Sequence, residues 1–371
     1  MNLQRIRHML IKEFIQLRRD PRMRAVIFVV PILQTVVFGY AVTTDVRHVQ
    51  TVLIDHDRSP SSRELVSRFT GSRYFDIVAQ TDDVDVAQRL VDRDEASTVI
   101  RIEHGFDADL RAGRRPAVQL IVDGTDSNTA AMVLSYASRI AMKFDRDVTI
   151  ARHPSLKLPP PIATRAWFNP NLESRNFYVP GVIALLVALI TLLLSSMAVV
   201  REKEIGTIEQ IIVTPITQPE FILGKTAPFV VIAYIDVLLI TVVAAFWFDI
   251  PIRGSLLLLL GGTALFILST IAVGLVISTV STTQQQAMMT TFFYFLPAVL
   301  LSGFIFPIAN MPAAIQWLTF LNPLRYFLVI VRGIFLKGSG FAILWPQFGA
   351  LLALGVVTLL FASTRFRKTL A

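Results

Sequence analysis

Residues 255–280 read SLLLLLGGTALFILSTIAVGLVISTV, 26 positions without one Asp, Glu, Lys or Arg. The charge-free run extends further on both sides, because no such residue occurs among the 71 between Arg253 and Arg325. No water-soluble domain could carry that run on its surface. A helix of about 20 apolar residues crosses the ~30 Å of hydrocarbon in a bilayer, so the chain is read as a membrane protein.

Working outward, six stretches have that length: roughly Ala25 to Thr44, Val179 to Val200, Pro228 to Phe248, Ser255 to Ser278, Ala287 to Ile308 and Leu344 to Ala362. Each is expected to be helical, because a lipid-exposed segment must satisfy its own backbone hydrogen bonds and none shows the alternation of a barrel strand. The expected fold class is a membrane all-α bundle of six transmembrane helices with an inserted extracytoplasmic α/β domain. Its parts are 1–24 as a cytoplasmic amphipathic helix, 25–44 as the first span, and 45–176 as the extracytoplasmic domain with its linker. Residues 177–371 make spans two to six, with an inner loop at 201–225 and an external re-entrant segment at 309–340.

Orientation follows from the basic residues beside the spans. Arg5, Arg7, Lys12, Arg18, Arg19, Arg22 and Arg24 precede the first span against only Glu13 and Asp20, and Arg365, Arg367 and Lys368 follow the last with no acid. Both termini are therefore expected in the cytoplasm by the positive-inside rule. The block Asp45 to Arg175 holds 18 Lys+Arg and 19 Asp+Glu, a net charge of −1, so the chain's net +8 resides elsewhere and reports topology. A nucleic-acid face would instead gather its basic residues in a folded patch, and no nucleic-acid partner is expected. The basic start is too long and its apolar segment too extended for a secretory signal. With no cysteine there is no disulfide framework and no thiolate metal site.

Leu3, Ile6, Leu10, Phe14 and Leu17 recur at helical spacing ahead of the break at Asp20-Pro21, which suits a helix lying in the cytoplasmic headgroup layer. Within the external block, Thr51 to Ile54, Phe75 to Val78, Ser97 to Ile102 and Val118 to Val122 read as strands. Ser61 to Phe69, Val84 to Val91 and Asn128 to Val148 read as helices, and the block is long enough to bury its own core. Pro154 and Pro159-Pro160-Pro161 favour an extended linker. Between the fifth and sixth spans, Asn310 to Gly340 stays largely apolar yet is broken at Pro312 and Asn322-Pro323, which predicts one or two half-inserted or interfacial helices.

Several motifs have bland readings that prevail. Gly224-Lys225-Thr226 has the ending of a phosphate-binding loop, but Pro219 stands where the motif needs its first glycine. Asp55-His56-Asp57 reads better as a strand-ending turn than as a metal site, and Asp82, Asp83 and Asp85 as a solvated helix start. No catalytic dyad or triad is visible, and no cofactor is expected. Asp236 differs, since it stands near the middle of the third span with no other charged residue for ten positions on either side. A central aspartate costs about 2.5–3.5 kcal/mol on insertion scales. It is expected to line a path or to pair across helices, the competing reading being a protonated structural carboxyl bonded to a neighbouring helix.

The segment Arg201-Glu202-Lys203-Glu204-Ile205-Gly206-Thr207-Ile208-Glu209-Gln210, followed by Thr214-Pro215-Ile216 and Leu223-Gly224-Lys225, resembles the inner-loop signature of type-two (ABC-2 type) ABC transporter permeases. Leu301-Ser302-Gly303-Phe304-Ile305-Phe306-Pro307, Met311-Pro312, Leu321 to Phe327 and Arg332 to Gly338 resemble the same family's signature before its last span. The likeness covers essentially the whole chain and is greatest to the multidrug-exporter-like branch with a large external domain. It implies a permease without its own ATPase, in which two permease subunits, identical or paralogous, pair with two cytoplasmic ABC ATPase subunits. Glu202, Glu204, Gly206, Thr207 and Glu209 are then the candidates for coupling to the ATPase. For each the competing reading is ordinary helix-end chemistry, and for Glu202 or Glu204 a local salt bridge worth little.

Asn322, Pro323, Arg325 and Tyr326 match the external signature, where the resemblance implies re-entrant helices and where a packing role is expected. The excess of arginine over lysine, 28 to 7, points to a bacterial genome of high GC content, so the membrane is expected to be the inner one, with a periplasmic adaptor or captured cargo as candidate partners of the external domain. Apolar spans with one fixed charge suit an amphipathic, drug-like or lipid-like cargo. The rival reading is a membrane sensor or scaffold whose external domain binds a ligand or partner protein.

Overall fold

The computed structural model describes Arg7, Leu10, Ile11, Ile15, Arg19 and residues 21–41, 48–114, 116–152, 167–169, 173–206 and 217–369. Most of the expected amphipathic helix at 1–24 and most of the proline-rich linker lie outside the described residues. The chain divides into two units, Thr44–Thr164 and the remainder, Met1–Thr43 with Arg165–Ala371.

The first unit contains β1 (Val49–Asp55), α2 (Pro60–Gly71), β2 (Phe75–Gln80), α3 (Val84–Asp92), β3 (Thr98–Ile102), α4 (Phe106–Arg111), β4 (Val118–Val122) and α5 (Ser127–Arg152); α1 (Pro21–Ala41) precedes it in the chain. The four strands read from sequence form one sheet in the order β2-β1-β3-β4, with β1 parallel to both neighbours and β4 antiparallel to β3. β1 is central and almost wholly buried, so its apolar residues run continuously rather than alternating. Leu53, Ile100, Ile102, Leu65, Phe69 and Phe75 fill the core beneath α2 and α5. The short α4 was not expected. Its start is set from a distance, by the Asp57 carboxylate accepting from the N–H of Gly105 at 2.9 Å and of Asp107 at 3.1 Å.

That bond also settles the Asp55-His56-Asp57 motif as a turn. Asp55 accepts from the N–H of Asp57 and Arg58 and from the Ser62 hydroxyl, so both carboxylates are occupied in ending β1 and starting α2 and α4.

The second unit holds α1 together with α6 (Ser174–Ile205), α7 (Gln218–Phe246), α8 (Leu256–Val280), α9 (Gln284–Leu300), α10 (Ala313–Thr319), α11 (Pro323–Arg332) and α12 (Phe341–Thr369). Among the described residues four helices are long and apolar enough to cross a membrane: α6, Glu220–Phe246 of α7, α8, and Phe341–Thr364 of α12. A fifth candidate arises if α10 and the segment Pro323–Lys337, bent by 79° to each other, count as one broken span. The expected six is thus not reached on length. α1 has 21 residues, about 32 Å of helix, of which Phe28–Tyr40 is the apolar part.

The expected span at Ala287 to Ile308 is shorter than its composition implied. α9 stops at Leu300 after 17 residues, about 26 Å. The chain then turns at Leu301–Gly303, where the Ser302 hydroxyl donates to the Val299 carbonyl, the Phe304 N–H donates to the Ser302 hydroxyl, and Gly303 takes φ +81°.

α6 is the axis of this unit, with 78% of its apolar window buried against 17% for α12. It meets α8 along a seam of small polar residues. The Thr191 hydroxyl donates to that of Thr270 at 2.8 Å, and Ser278 accepts from the N–H of Val199 and Val200. A Cβ at Gly274 would come within 1.8 Å of Ser195 Oγ and 3.1 Å of the Leu192 carbonyl, so glycine is what permits the approach.

Candidate functional site

The last turn of α6 is a charged segment at the end of an apolar helix, and three consecutive side chains there reach three other helices. Glu202 forms an ion pair with Lys225 of α7 at 2.5 Å; the residues are only 7% and 6% exposed. Lys203 Nζ donates to the Thr279 carbonyl at the end of α8, at 3.5 Å. Glu204 Oε2 accepts from the backbone N–H of Gln284 at 3.1 Å and from its side-chain amide at 2.8 Å, at the first turn of α9. An anionic side chain at a helix N-terminus is favoured by its orphan N–H groups and dipole. Thr283 caps the same helix through the N–H of Gln286.

Local sequence explains how these groups are placed. Gly206 adopts φ +79°, the left-handed conformation that ends helices and that glycine takes without strain, so α6 stops directly after its charged turn. α7 starts at Thr217, whose N–H donates to Glu220 at 3.0 Å in a capping box. Lys225 follows two turns into α7 and faces Glu202. Gly224-Lys225-Thr226 lies inside that helix, so it cradles no phosphate, and the lysine's role is the ion pair.

Of the sequence-derived coupling candidates, the structure therefore places Glu202, Glu204 and Gly206 on one helix end; Thr207 and Glu209 lie outside the described residues. Glu202 is a buried tie between helices rather than an exposed local bridge. Removing one partner of such a pair leaves the other's charge in a poorly solvated place. What the sequence did not show were the pairings, Lys225 with Glu202, Thr279 with Lys203 and Gln284 with Glu204. The partners lie 23 to 80 positions apart, where no local spacing could show them.

Asp236 is fully buried at mid-helix in α7, on the face that also buries Ala233, Val237 and Ile240. Neither carboxylate oxygen has a hydrogen-bond partner among the described residues. The cross-helix pairing and the bond to a neighbouring helix considered for it are thus not found there.

At the re-entrant end, Asn322 caps α11 by accepting from the Leu324 N–H at 3.1 Å while its amide donates to the Ala298 carbonyl of α9 at 2.7 Å. Pro323 occupies the first position of α11, where no N–H is needed. Arg325 bonds the Thr319 hydroxyl and lies 4.1 Å from the Phe320 ring, and Tyr326 donates to the Phe320 carbonyl at 2.9 Å. Together they fix the bend between α10 and α11.

Comparisons with known proteins identify the family. The sequence profile of the family described as ABC-2 family transporter protein matches residues 22–364. The chain is 30% identical over 361 residues to the probable multidrug ABC transporter permease YbhR of Escherichia coli strain K12, covering 96% of each protein. It is 32% identical over 341 residues to the probable multidrug ABC transporter permease YbhS of the same strain, covering 90% of this chain and 89% of that one. ABC transporter G family member 20 of Dictyostelium discoideum is 23% identical over 226 residues, 60% of this chain and 30% of that protein. On the profile match and these full-length relatives, the chain belongs to the ABC-2 family of transporter proteins and is a multi-pass permease of the ABC transporter type.

Proposed function

We propose that this permease is the membrane half of an ATP-driven exporter, working as a dimer with an identical or paralogous permease and with cytoplasmic ABC ATPase subunits. The observation that carries this is the last turn of α6, where Glu202, Lys203 and Glu204 hold the ends of α7, α8 and α9. A partner gripping that turn would move several helix ends together. For ATP to drive transport, the ATP-bound partner must bind one permease conformation better than the other. A rigid hub that several helices share is a suitable place to apply that difference.

On this reading the hub is cytoplasmic, as are both termini, the membrane is the bacterial inner membrane, and the Thr44–Thr164 unit lies outside, where it can dock a periplasmic adaptor or capture cargo. The 79° bend formed by α10 and α11 closes the outer end. The cargo is amphipathic, drug-like or lipid-like, and this agrees with relatives named as multidrug permeases. Asp236, buried at mid-helix in α7, is assigned to the translocation path, and Asp236→Asn should change transport without changing assembly.

The test is ATPase activity of the chain reconstituted in lipid with its partner ATPase, comparing wild type with Glu204→Ala and Gly206→Pro. Assembly that persists while cargo-stimulated ATPase is lost in both variants supports the reading. A folded chain that captures no ATPase defeats it.

A further inference from the structure

No acidic residue occurs after Asp249, yet the bent segment and the loop that meets it carry Arg253, Arg325, Arg332 and Lys337. Among the described residues none of these four has a carboxylate partner. Three are otherwise accounted for. Arg253 donates to the Leu336 carbonyl at 3.1 Å, Arg325 is held by Thr319 and Phe320, and Lys337 is exposed.

Arg332, at the end of α11, is different. Its Nε donates to the Phe177 carbonyl at 3.3 Å and its Nη1 to the Gly303 carbonyl at 3.2 Å. The guanidinium lies 3.6 Å from the centre of the Phe177 ring and 5.9 Å from that of Phe304. Nη2 is buried and has no hydrogen-bond partner among the described residues. The fork is thus oriented by α6, by the turn after α9 and by two rings, while one edge offers donors that no described residue accepts. Carbonyls and rings stabilise the cation without neutralising it, and a buried donor of a charged group costs more when left unmade than a neutral one. An oxyanion is what a guanidinium fork matches best.

The surroundings select the rest of the ligand. Phe177, whose ring lies against the guanidinium, is 40% exposed, so the accessible side of the site is aromatic. We infer that Arg332 anchors a binding site for the phosphate headgroup of an anionic amphiphile, seated between the start of α6, the turn at Gly303 and the end of α11. A cargo or a membrane lipid would supply the same chemistry. The inference sharpens the amphipathic-cargo reading and rests on it only for the ligand's place in transport.

Binding is measured by titrating the purified chain in neutral maltoside micelles with dodecyl phosphate, dodecylphosphocholine, dodecyltrimethylammonium and inorganic phosphate. Dodecyl phosphate should bind best, and Arg332→Gln should weaken it about ten- to hundredfold, the range for one hydrogen bond to a charged group. Lys337→Gln, which removes a nearby exposed cation, should leave it unchanged. Monodispersity and thermal unfolding establish that each variant is folded. Should Arg332→Gln not fold, Arg332→Lys keeps the charge without the fork and should lose the preference for phosphate over phosphocholine. Native mass spectrometry separates the two sources: phosphatidylglycerol retained by wild type and absent from the variant identifies a membrane lipid, whereas dodecyl phosphate binding with no retained lipid identifies cargo. Equal binding of all three amphiphiles, or unchanged affinity in a folded Arg332 variant, overturns the site. Inorganic phosphate binding as tightly as dodecyl phosphate overturns the amphiphile. ATP enters none of these readouts, so failure here leaves the coupling test standing, and the reverse also holds.

Discussion

At the Gly206 end of α6, helices are joined by side chains of opposite charge and by a carboxylate on a helix N-terminus. At the re-entrant end the contacts are amides, hydroxyls and cations resting on carbonyl oxygens and aromatic rings, and no acid occurs in the chain after Asp249. Ion pairs between side chains are strong only in a particular geometry, so the first arrangement suits an end that must hold or release as a unit. Contacts to carbonyls tolerate small rotations of the helix that supplies them, which suits an end that bends. Between the two ends runs the close α6–α8 seam.

The comparison is most exposed at Lys225. Lys225→Ala removes the ammonium facing the buried Glu202 carboxylate and should cost about 3–5 kcal/mol, as for other buried pairs deprived of one partner. Thermal unfolding of the full chain in micelles measures it. A double-mutant cycle with Glu202→Gln should show strong coupling. A loss under about 1 kcal/mol, the range of exposed pairs, would mean that this end is no more tightly tied than a surface bridge.

The seam is tested next. Gly274→Val forces side-chain bulk against Ser195 and the Leu192 carbonyl and should cost about 1–3 kcal/mol by overpacking. Gly274→Ala combined with Ser195→Gly should recover most of the loss, because the nearest obstacle is the Ser195 side chain. Lack of recovery would show that the backbones themselves set the spacing.

At the re-entrant end, Asn322→Ala should cost about 1 kcal/mol, the usual value of a helix cap, and Asn322→Asp should restore the cap to Leu324 while losing the donor to Ala298. Hydrogen exchange in 313–332 reads the difference. Protection returning fully in Asn322→Asp would show that the tie to α9 does not hold the bend.

What the sequence made legible, and what it did not, follows the range of the interactions. β1 to β4 were readable because Val, Ile and Thr cluster in short runs with turn residues after them. The coupling segment was readable because Arg201 to Glu204 interrupts an apolar helix. The end of α9 was not, since Leu301-Ser302-Gly303 continues the apolar composition while the backbone turns at Gly303. α4 was not, because six residues show no period and its cap, Asp57, comes from about 50 positions away. Glu202 and Lys225 were each visible singly, one as a helix-end acid and one as a false phosphate loop. Only the fold makes them a pair.

Acid gives the smallest effect and separates the regions by their carboxylates. In the Thr44–Thr164 unit, burial works to raise the Asp57 pKa, but hydrogen bonds from the Ser59 side chain and the N–H groups of Asp107, Gly105 and Phe106 more than offset it and hold it below 3.8. Asp126, which caps α5, is likewise lowered, first by the Thr129 hydroxyl and then by the N–H groups of Thr129 and Asn128. A carboxylate whose native pKa is depressed contributes stability above its unfolded pKa, near ~3.9, and loses it as pH falls through the native value. Protection from pulsed hydrogen exchange in α4 and the first turn of α5 should therefore decline below about pH 4, and Asp57→Asn and Asp126→Asn should each flatten that decline. α11, in a segment without a single acid, should keep its protection over the same range. Parallel loss in α11 would mean that its carbonyl-bound cations depend on carboxylates elsewhere, and the acid-independent account of the re-entrant end would not hold.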